Sequence, residues 1–412
     1  MYHNAFRRLP PLWLYSQGNV KFTYATKALT GTGKLRLSGL RLRRFRNLGD
    51  QELRIPAEGV AIIGHNAQGK SNLLEAIYYL ETFRSFRRAP DEQLIAFGED
   101  SFRLMACLVG PRGTENGGLG GDIEIAAAYQ RTGKRKKVSV EGAEPERFGD
   151  AVGRLSAVIF SPLDVGVVSD GPGHRRRYMD IVLSLNVPGY LDALQGFRHT
   201  LAQRNASLRK EGPSEVVRAW DGVLVESGSR VMLERHLWAG RWAGAFSRYY
   251  QTVSGDETGH LSYDPAFAID RAELDRVEEL YRQALDESAR REARVRTTVV
   301  GPHRDDLRLS LAEEGEHLDL REFGSGGQRR TAALALRLVE AATIRSARGF
   351  EPLLLLDDAF AELDEGRCER VLALIEQEEP GQVILTAPKE NDVKVRRDAL
   401  PRWTIDAGRI QA

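Results

Sequence analysis

The sequence predicts an α/β fold in which two segments, distant along the chain, form one site. The first segment is an apolar run at 60–63, followed by a glycine-rich loop and by leucines at helical spacing from Leu73 onward. The second is "LLLLDD" at 353–358, which is typical of a buried parallel strand that ends in two acids. Because ligands collect at the carboxyl ends of parallel strands, we expect the two segments to meet at one edge of a sheet.

The loop after the first strand has the spacing Gly-x4-Gly-Lys-Ser of a phosphate-binding loop. Gly64 and Gly69 are expected to permit unusual backbone angles that turn successive N–H groups inward, and the helix N-terminus adds positive potential. Lys70 is expected to reach the outer phosphates, and the Ser71 hydroxyl to ligate Mg²⁺. An accidental glycine turn is the alternative, but the flanking strand and helix favour nucleotide binding. The predicted nucleotide-binding residues are Gly64, His65, Asn66, Ala67, Gln68, Gly69, Lys70 and Ser71.

The two acids at the end of the second strand predict a hydrolytic function. Asp357 is expected to hold Mg²⁺ directly or through water, as a hard oxygen ligand does. Asp358 is the predicted catalytic residue, placed to orient or deprotonate the attacking water. The alternative is an acid pair that caps a helix after a core strand. The phosphate-binding loop elsewhere in the chain favours the catalytic interpretation.

A second glycine-rich helix start precedes the acid pair. Its residues are Ser325, Gly326, Gly327 and Gln328, followed by a helix with apolar residues at helical spacing. Glycine N–H groups and a serine hydroxyl at a helix N-terminus indicate a second anion site. A serine that only caps the helix, with a flexible turn, is the alternative.

Composition excludes several classes of protein. The chain has 412 residues, a formal net charge of +1 and two cysteines. These cysteines, Cys107 and Cys368, lack metal-ligand spacing, which favours a reducing compartment and argues against a zinc site. We find no membrane-length apolar run and no signal-peptide core, so we expect a cytoplasmic protein. Any surface for nucleic acid must be a local basic patch.

The pattern along the chain predicts four segments. Residues 1–33 show no sustained period and are expected to be a disordered tail or a misassigned start. Residues 34–185 form the first half of an α/β core, which includes a predicted hairpin ending near Val140. Residues 186–298 are mainly of helical pattern and form an inserted arm, and 299–412 complete the core.

Three basic clusters are candidates for binding DNA phosphates. They are "RLRRFR" at 41–46, "RTGKRKK" at 131–137 in the predicted hairpin turn, and "HRRRY" at 174–178, expected to precede a helix. A solvated turn or internal ion pairs are the alternative for each cluster. The candidate residues are Arg131, Lys134, Arg135, Lys136, Lys137, Arg175 and Arg176.

The three glycine-rich and acidic elements together resemble the ABC-type ATPase core. The phosphate-binding loop matches its Walker A motif, Ser325 to Gln328 its signature motif, the strand with Asp357 and Asp358 its Walker B motif, and "AELD" at 361–364 its D-loop. From about Leu35 onward, further stretches are similar, in order and spacing, to the RecF family of bacterial recombinational-repair proteins. These stretches include "FRNL" at 45–48, "RSFR" at 84–87, "FSPLDVGVVSDGPGHRRRYMD" at 160–180, "QRNASL" at 203–208 and "GPHRDDL" at 301–307.

The resemblance implies an ABC-type ATPase head with mixed β-sheets and a helical arm lobe, with ATP and Mg²⁺ as cofactors. It implies binding to single-stranded, gapped and double-stranded DNA, an ATP-dependent homodimer, and work with RecO and RecR to load RecA. Roles in replication restart and SOS induction and a weak, DNA-stimulated ATPase activity follow from the same resemblance. The N-terminal tail has no family counterpart.

The resemblance also implies roles for single residues. The signature residues, through Ser325, would meet the γ-phosphate held by the opposite subunit, with Asp364 near the dimer seam. Thr386 stands where many relatives carry a switch histidine; a threonine there is neither acid nor base near neutral pH, so we expect slow hydrolysis. Arg329 and Ala361 depart from the family pattern and leave the details of the signature side open.

Other functions fit the sequence less well or stay open. ABC-type proteins of the SMC kind need long heptad arms, which about 110 residues of arm do not supply. The nucleotide-binding subunit of a membrane transporter has no place for "GPHRDDL". A DNA clamp that uses ATP only to hold its dimer together remains a full alternative.

Overall fold

The computed structural model describes residues 35–110, 122–210, 214–313, 316–358, 363–378, 381–393, 395 and 399–412. The tail that we expected at 1–33 and Ala361 of the D-loop segment lie outside the described residues.

The described residues form both strands and α-helices, with a strand-rich first part and a run of helices from α2 to α6. The strands are β1 (Arg36–Arg43), β2 (Gln51–Arg54), β3 (Gly59–Ile63), β4 (Ser101–Val109), β5 (Asp122–Gln130), β6 (Arg135–Val140), β7 (Ala157–Phe160), β8 (Gly259–Asp264), β9 (Asp306–Glu313), β10 (Glu316–Asp319), β11 (Leu353–Asp357), β12 (Val383–Ala387), β13 (Arg402–Asp406) and β14 (Arg409–Gln411). The α-helices are α1 (Lys70–Thr82), α2 (Val165–Ser169), α3 (Pro172–Asn186), α4 (Tyr190–Arg209), α5 (Ser214–Arg218), α6 (Asp221–Ser254), α7 (Leu274–Val295), α8 (Gly326–Arg348) and α9 (Glu365–Gln377).

A six-stranded sheet, in the order β14-β13-β3-β12-β11-β7, forms the centre of the fold. All its neighbouring strands are parallel except β13 and β14. The strand of the glycine loop, β3, and the strand of the acid pair, β11, flank β12. In this register Asp357 lies beside Thr386, and Thr386 beside Ile62. The central sheet therefore brings the two predicted halves of the site to one edge.

A second, antiparallel sheet in the order β2-β1-β4-β5-β6 packs against the first through α1. Because α1 lies between the two sheets, residues on nearly all its sides are buried, including Leu73, Ile77 and Leu80. β5 and β6 form the predicted hairpin, and β6 ends at Val140 as expected. On the other side of the central sheet, α8 and α9 cover its apolar face.

The arm segment contains α4, α5, α6, α7 and one strand that the helical pattern did not predict. This strand, β8, pairs with β9 and forms a three-stranded sheet with β10. The C-terminal half of α6 packs against α8 through Trp238 and Phe246, so the root of the arm is fixed to the head.

The third basic cluster lies inside a helix and not before it, because α3 begins at Pro172, a residue favoured in the first turn of a helix. Across the residues described, none of the helices combines the length and the apolar character that crossing a membrane requires.

Candidate nucleotide-binding site

The two glycines of the loop between β3 and α1 are needed for different reasons. Gly69 has φ 109° and Ala67 has φ 66°, both in the left-handed region, as the spacing predicted for the second glycine. The expectation for Gly64 was wrong, since its φ lies outside that region. A Cβ at Gly64 would lie 2.6 Å from the carbonyl oxygen of Ile405. The first glycine is therefore required by the close approach of β13.

Lys70 lies across the loop that precedes it. Its side chain is buried, and its Nζ donates to the carbonyl oxygens of Gly64 at 2.8 Å and His65 at 3.2 Å. The ammonium group is thus held inside the concave side of the loop. This is the position from which a lysine reaches the outer phosphates of a nucleotide.

The acid strand and the loop helix meet at Asp357. This carboxylate is buried and takes part in hydrogen bonds with the hydroxyls of Ser71 and Thr386. Burial raises the pKa of Asp357, while the hydrogen bond from Ser71 and the nearby Arg87 guanidinium oppose the shift. Loop helix, acid strand and β12 are therefore connected through one buried oxygen cluster.

Asp358 follows directly and has a strained backbone, with φ 45°. Its N–H donates to Thr386 Oγ1 at 3.1 Å, which fixes the turn after the strand. Its Oδ1 is buried and has no hydrogen-bond partner within the described part of the chain. Burial raises the pKa of Asp358, and the positive charge of Lys70 opposes that shift. An unpartnered carboxylate oxygen beside the lysine of the loop is suited to accept a hydrogen bond from water.

The donor set fits Mg²⁺. Ser71 and Asp357 supply a hydroxyl and a carboxylate that already contact each other, and Mg²⁺ prefers such oxygen ligands together with phosphate oxygens. Among the described residues there is no cluster of three or more His, Cys, Asp and Glu side chains that would hold a metal without a nucleotide. The protein residues present here would therefore hold Mg²⁺ as part of a nucleotide complex.

Two braces around the loop were not predicted from the sequence. The side chain of Asn47 donates to the carbonyl oxygen of Ala67 at 3.3 Å and accepts from Asn72 at 2.7 Å. Gln68 accepts hydrogen bonds from the backbone N–H groups of Ala407 and Gly408, in the turn between β13 and β14. The stretch "FRNL" was the available signal for Asn47, whereas nothing in the C-terminal sequence indicated the second brace.

Arg87 is a further charged residue at this site. Its guanidinium donates to Asn72 Oδ1 at 3.0 Å, and a second nitrogen lies 4.0 Å from Asp357 Oδ2. The stretch "RSFR" carried this residue, but its position beside the acid strand follows only from the fold.

The signature residues form the N-terminus of α8. Ser325 Oγ accepts from the Gln328 N–H at 3.2 Å, and Gln328 Oε1 accepts from the Ser325 N–H at 2.7 Å, a reciprocal capping box. The Gln328 side chain also donates to Glu257 at 2.6 Å, near the root of the arm. Gly326 has open space around it, whereas a Cβ on Gly327 would clash with Arg367. The helix-capping role that the sequence allowed for Ser325 is thus present in the single chain. It uses the N–H groups of Ser325 and Gln328, while the N–H groups of Gly326 and Gly327 also lie at the helix start.

Asp364 caps the neighbouring helix. Its carboxylate accepts from the Arg367 N–H at 2.9 Å at the start of α9, and this bond is the first cause of its lowered pKa. Arg367 therefore connects the predicted D-loop residue to the signature turn at Gly327.

The basic residues at 131–137, in the β5–β6 hairpin, lie partly in the turn and partly on the two faces of the sheet. Arg131 and Lys134 are exposed in the turn, and Arg135 and Lys137 point outward from β6. Lys136 lies on the opposite face, which also carries the buried Val138, because side chains alternate along a strand. Its Nζ contacts Asp91 at 2.6 Å and the Phe83 carbonyl oxygen at 2.8 Å, and burial lowers its pKa. Lys136 is therefore removed from the set of DNA candidates.

Arg175 and Arg176 of the third basic cluster form contacts within the chain. Arg175 is buried and forms a bidentate ion pair with Asp306, at 2.8 and 2.7 Å. Arg176 is half-buried and donates to the carbonyl oxygen of Asp305 at 2.6 Å. These contacts tie α3 to the start of β9, so the internal-ion-pair alternative applies to this cluster and neither residue is a DNA candidate.

The fold and the site define an ABC-type ATPase head: a parallel sheet that carries the glycine loop and the acid pair, an antiparallel sheet beside it, and a helix that begins at the signature turn. A family model described as "RecF/RecN/SMC N terminal domain" matches residues 36–406. The chain belongs to the RecF family.

Individual relatives agree with this assignment. The chain is 36% identical to "DNA replication and repair protein RecF" of Gloeobacter violaceus over 380 residues, 91% of this chain and 98% of the relative. It is 34% identical to the protein of that name from a Thermoanaerobacter species, over 85% of this chain and 93% of the relative.

Solved structures show the same fold. One, described as "Structure of the recombination mediator protein RecF-ATPrS in RecFOR pathway", superposes with a TM-score of 0.80 at 30% identity and covers 92% of this chain and 98% of its own. A Smc head domain derived from Pyrococcus furiosus superposes with a TM-score of 0.53 at 16% identity over 92% of this chain and 95% of its own, which supports the fold alone.

Proposed function

We propose that this chain is a cytoplasmic, ATP-dependent DNA-binding protein of recombinational repair, whose ATP-bound homodimer clamps DNA at single-strand gaps. The observation that carries the proposal is the contact of Ser71 and Thr386 with Asp357, because it joins the nucleotide loop to the acid strand in one buried cluster. Relatives named "DNA replication and repair protein RecF" and a neighbour described with RecF-ATP support the DNA and ATP parts.

Each residue of the pocket has a defined part in the proposed reaction. Lys70 and the loop N–H groups bind the outer phosphates, while Ser71 and Asp357 would hold Mg²⁺. Asp358 holds the attacking water through its Oδ1 and accepts its proton while the water oxygen bonds to the γ-phosphorus and the bond to the β–γ bridging oxygen breaks, which gives ADP and phosphate. Mg²⁺, when bound, would neutralise charge on the phosphates.

The partner subunit is proposed to supply the other wall of the pocket. The signature turn, with Ser325 and the glycine N–H groups, faces the γ-phosphate held by the partner, and Asp364 lies near the seam. ATP then becomes part of the dimer interface, so that the nucleotide state controls the grip on DNA. In this role the protein works with RecO and RecR to promote RecA loading, in keeping with the RecFOR pathway named for its structural neighbour, and supports replication restart and SOS induction.

A clamp that uses ATP only to hold its dimer together is the second candidate. Thr386 favours it, because a buried threonine hydroxyl stands between the two acids and a hydroxyl does not titrate near neutral pH. The Oδ1 of Asp358, unpartnered among the described residues, favours turnover instead, so our first candidate is a weak, DNA-stimulated ATPase that Thr386 makes slow.

The proposal is tested by binding a gapped DNA duplex with and without ATP and Mg²⁺, using wild type and Lys70→Met. We expect ATP to tighten binding of wild type and to leave Lys70→Met unaffected, because that variant lacks the charge that holds the outer phosphates. Lys210→Met, which removes an exposed lysine at the end of α4, is the matched control and should behave as wild type. Equal ATP dependence in wild type and Lys70→Met would contradict the proposal.

A further inference from the structure

Phe97 is a large apolar side chain that is completely exposed. The two apolar residues shortly before it, Leu94 and Ile95, are buried in the core, so the chain turns outward only at this point. Gly98 follows with φ 82°, and a Cβ added to it would meet no other atom within 4 Å, which places the turn in open space. The loop thus presents one aromatic ring to the outside.

Backbone hydrogen bonds fix where this loop lies. The Ala96 N–H donates to the Arg44 carbonyl oxygen at 2.8 Å, and the Arg131 N–H donates to the Asp100 carbonyl oxygen at 2.8 Å. Phe97 therefore lies between the end of β1 and the turn of the β5–β6 hairpin, at one end of the five-stranded sheet.

The outward face of the sheet carries a row of cations next to this end. Arg43 of β1 lies directly opposite Arg103 of β4, and both are exposed. The same row continues through Ala128 to the exposed Lys137 of β6. With strands about 4.8 Å apart, the row spans about 14 Å, a length over which a nucleic-acid strand presents about four phosphates.

Like charges directly opposite each other in a sheet are destabilising, and a bound polyanion removes that repulsion. Acidic neighbours reduce the repulsion between these cations only in part. Asp50 contacts Arg43 at 3.4 Å, and Glu144 contacts Lys137 at 2.7 Å. These pairs are exposed, so phosphates can replace the carboxylates at little cost. Among the described residues, no ion pair involves Arg103.

The turn adds further charge around the ring. Arg131, Lys134 and Arg135 are exposed there, and Arg44 forms an exposed ion pair with Glu99 at 3.3 Å. Besides Glu99, the loop that carries Phe97 contains one other acidic residue, Asp100. Cations outnumber acids on this surface, although the whole chain has a net charge of only +1.

We propose that Phe97 stacks on an unpaired base of DNA whose backbone lies along the row formed by Arg43, Arg103 and Lys137. An aromatic ring beside a basic groove is the arrangement that single-stranded nucleic acid requires, because phosphates bind the cations and bases stack on the ring. A protein partner would be favoured by a continuous apolar patch, whereas the surroundings of Phe97 are charged. This inference rests on the proposed function and names the residue that contacts the unpaired strand.

The test measures binding of fluorescently labelled gapped DNA to the full chain with ATP and Mg²⁺. One DNA carries bases in the gap, and a second carries abasic linkers of the same length. We expect Phe97→Ala to weaken binding about 5- to 150-fold on the first DNA and to change it little on the second. Val223→Ala, which truncates an exposed apolar side chain on α6, is the control and should bind both DNAs as wild type does.

Two further measurements separate stacking from charge. Phe97→Trp should retain binding, and its added fluorescence should be quenched by the DNA with bases but not by the abasic DNA. Arg103→Ala should weaken binding to both DNAs and lower the slope of log K against log salt by about one, whereas Phe97→Ala should leave that slope unchanged.

Three results would overturn the inference: normal binding of gapped DNA by Phe97→Ala, an equal loss on abasic DNA, or a loss of ATP affinity, which would assign the ring to the nucleotide. If wild type itself failed to bind either DNA, the proposed function would fail instead, so the two failures are distinguishable.

Discussion

At the scale of single residues, the site depends on three side chains at the ends of two neighbouring strands. Thr386 contacts Asp357 through its hydroxyl and accepts the backbone N–H of Asp358, so it orients both acids at once. Burial raises the pKa of each carboxyl group, while the hydrogen bond of Ser71 with Asp357 and the positive charge of Lys70 near Asp358 favour the charged forms. Asp357 is thus engaged with Ser71 and Thr386, while Asp358 retains an unpartnered oxygen within the described part of the chain.

Replacing Asp358 by Asn should slow ATP hydrolysis by about 100-fold or more, since the side chain no longer accepts a proton from the attacking water. The same variant should keep ATP-bound protein on gapped DNA for longer, because release follows hydrolysis. Steady-state phosphate release and DNA dissociation rates measure the two effects. Asp286→Asn, an exposed acid on α7, is the control. Unchanged turnover and residence time would show that Asp358 is not the catalytic acid or base, and would leave ATP as structural support for the dimer.

A buried acid on α1 makes stability depend on pH. Burial raises the pKa of Glu81 from 4.5 to about 7, although two backbone N–H groups donate to its Oε2. The folded state therefore binds this proton more tightly than the unfolded state, and the associated stability is lost as pH rises from about 4.5 through 7.

Glu81→Gln should remove this dependence. Relative to wild type, the variant should gain about 3 kcal/mol in free energy of unfolding between pH 4.5 and pH 8, because one pKa unit corresponds to about 1.4 kcal/mol. Urea unfolding of both proteins across this range measures the difference. An identical pH profile for the two proteins would contradict the raised pKa.

At the scale of elements, the C-terminal hairpin supports the nucleotide loop. β13 pairs with β3, and the turn at Ala407 and Gly408 donates two backbone hydrogen bonds to Gln68. A Cβ on Gly408 would lie 1.9 Å from the Asn47 carbonyl oxygen, so this turn fits tightly against both braces of the loop. The hairpin therefore holds the loop in the shape that receives phosphate.

Gly408→Ala should weaken ATP binding at least tenfold, because the clash displaces the turn from Gln68. Gly142→Ala is a matched control, since Gly142 has the same φ of 78° but open space around it. Both variants carry the strain of a left-handed alanine, about 1 kcal/mol, but only the first should lose nucleotide affinity. Equal ATP affinities, measured by calorimetry, would show that the hairpin does not shape the loop.

The elements differ in how far the sequence could predict them. The loop, its helix and the acid strand have local patterns and were predicted, as was the hairpin that ends at Val140. β8 was missed because its residues lie inside a helical segment and pair with β9 more than 40 residues later. The reason for Gly64 was missed as well, since it depends on β13, which is more than 330 residues away. Contacts between residues far apart in the sequence determine β8 and the need for Gly64. The position of Lys136 beside Asp91 depends likewise on the fold.

At the scale of the whole molecule, one chain brings the glycine loop and the acid pair together, and the signature turn lies at the start of α8. The capping box fixes Ser325 within the single chain, so the proposed dimer would meet a turn that is already formed. The family assignment, made from motifs spread over the chain, holds over residues 36–406.

The most direct test mixes two variants, each defective in one half of the pocket. Lys70→Met lacks the phosphate-binding lysine, and Ser325→Arg blocks the signature turn, so each variant alone should hydrolyse almost no ATP. In a mixed dimer, one pocket combines an intact Lys70 with an intact Ser325 from the other subunit. We predict that mixing the two proteins with ATP, Mg²⁺ and gapped DNA restores hydrolysis well above the sum of the separate variants. A mixture that shows only that sum, or a Ser325→Arg protein as active as wild type, would contradict a pocket shared between two subunits.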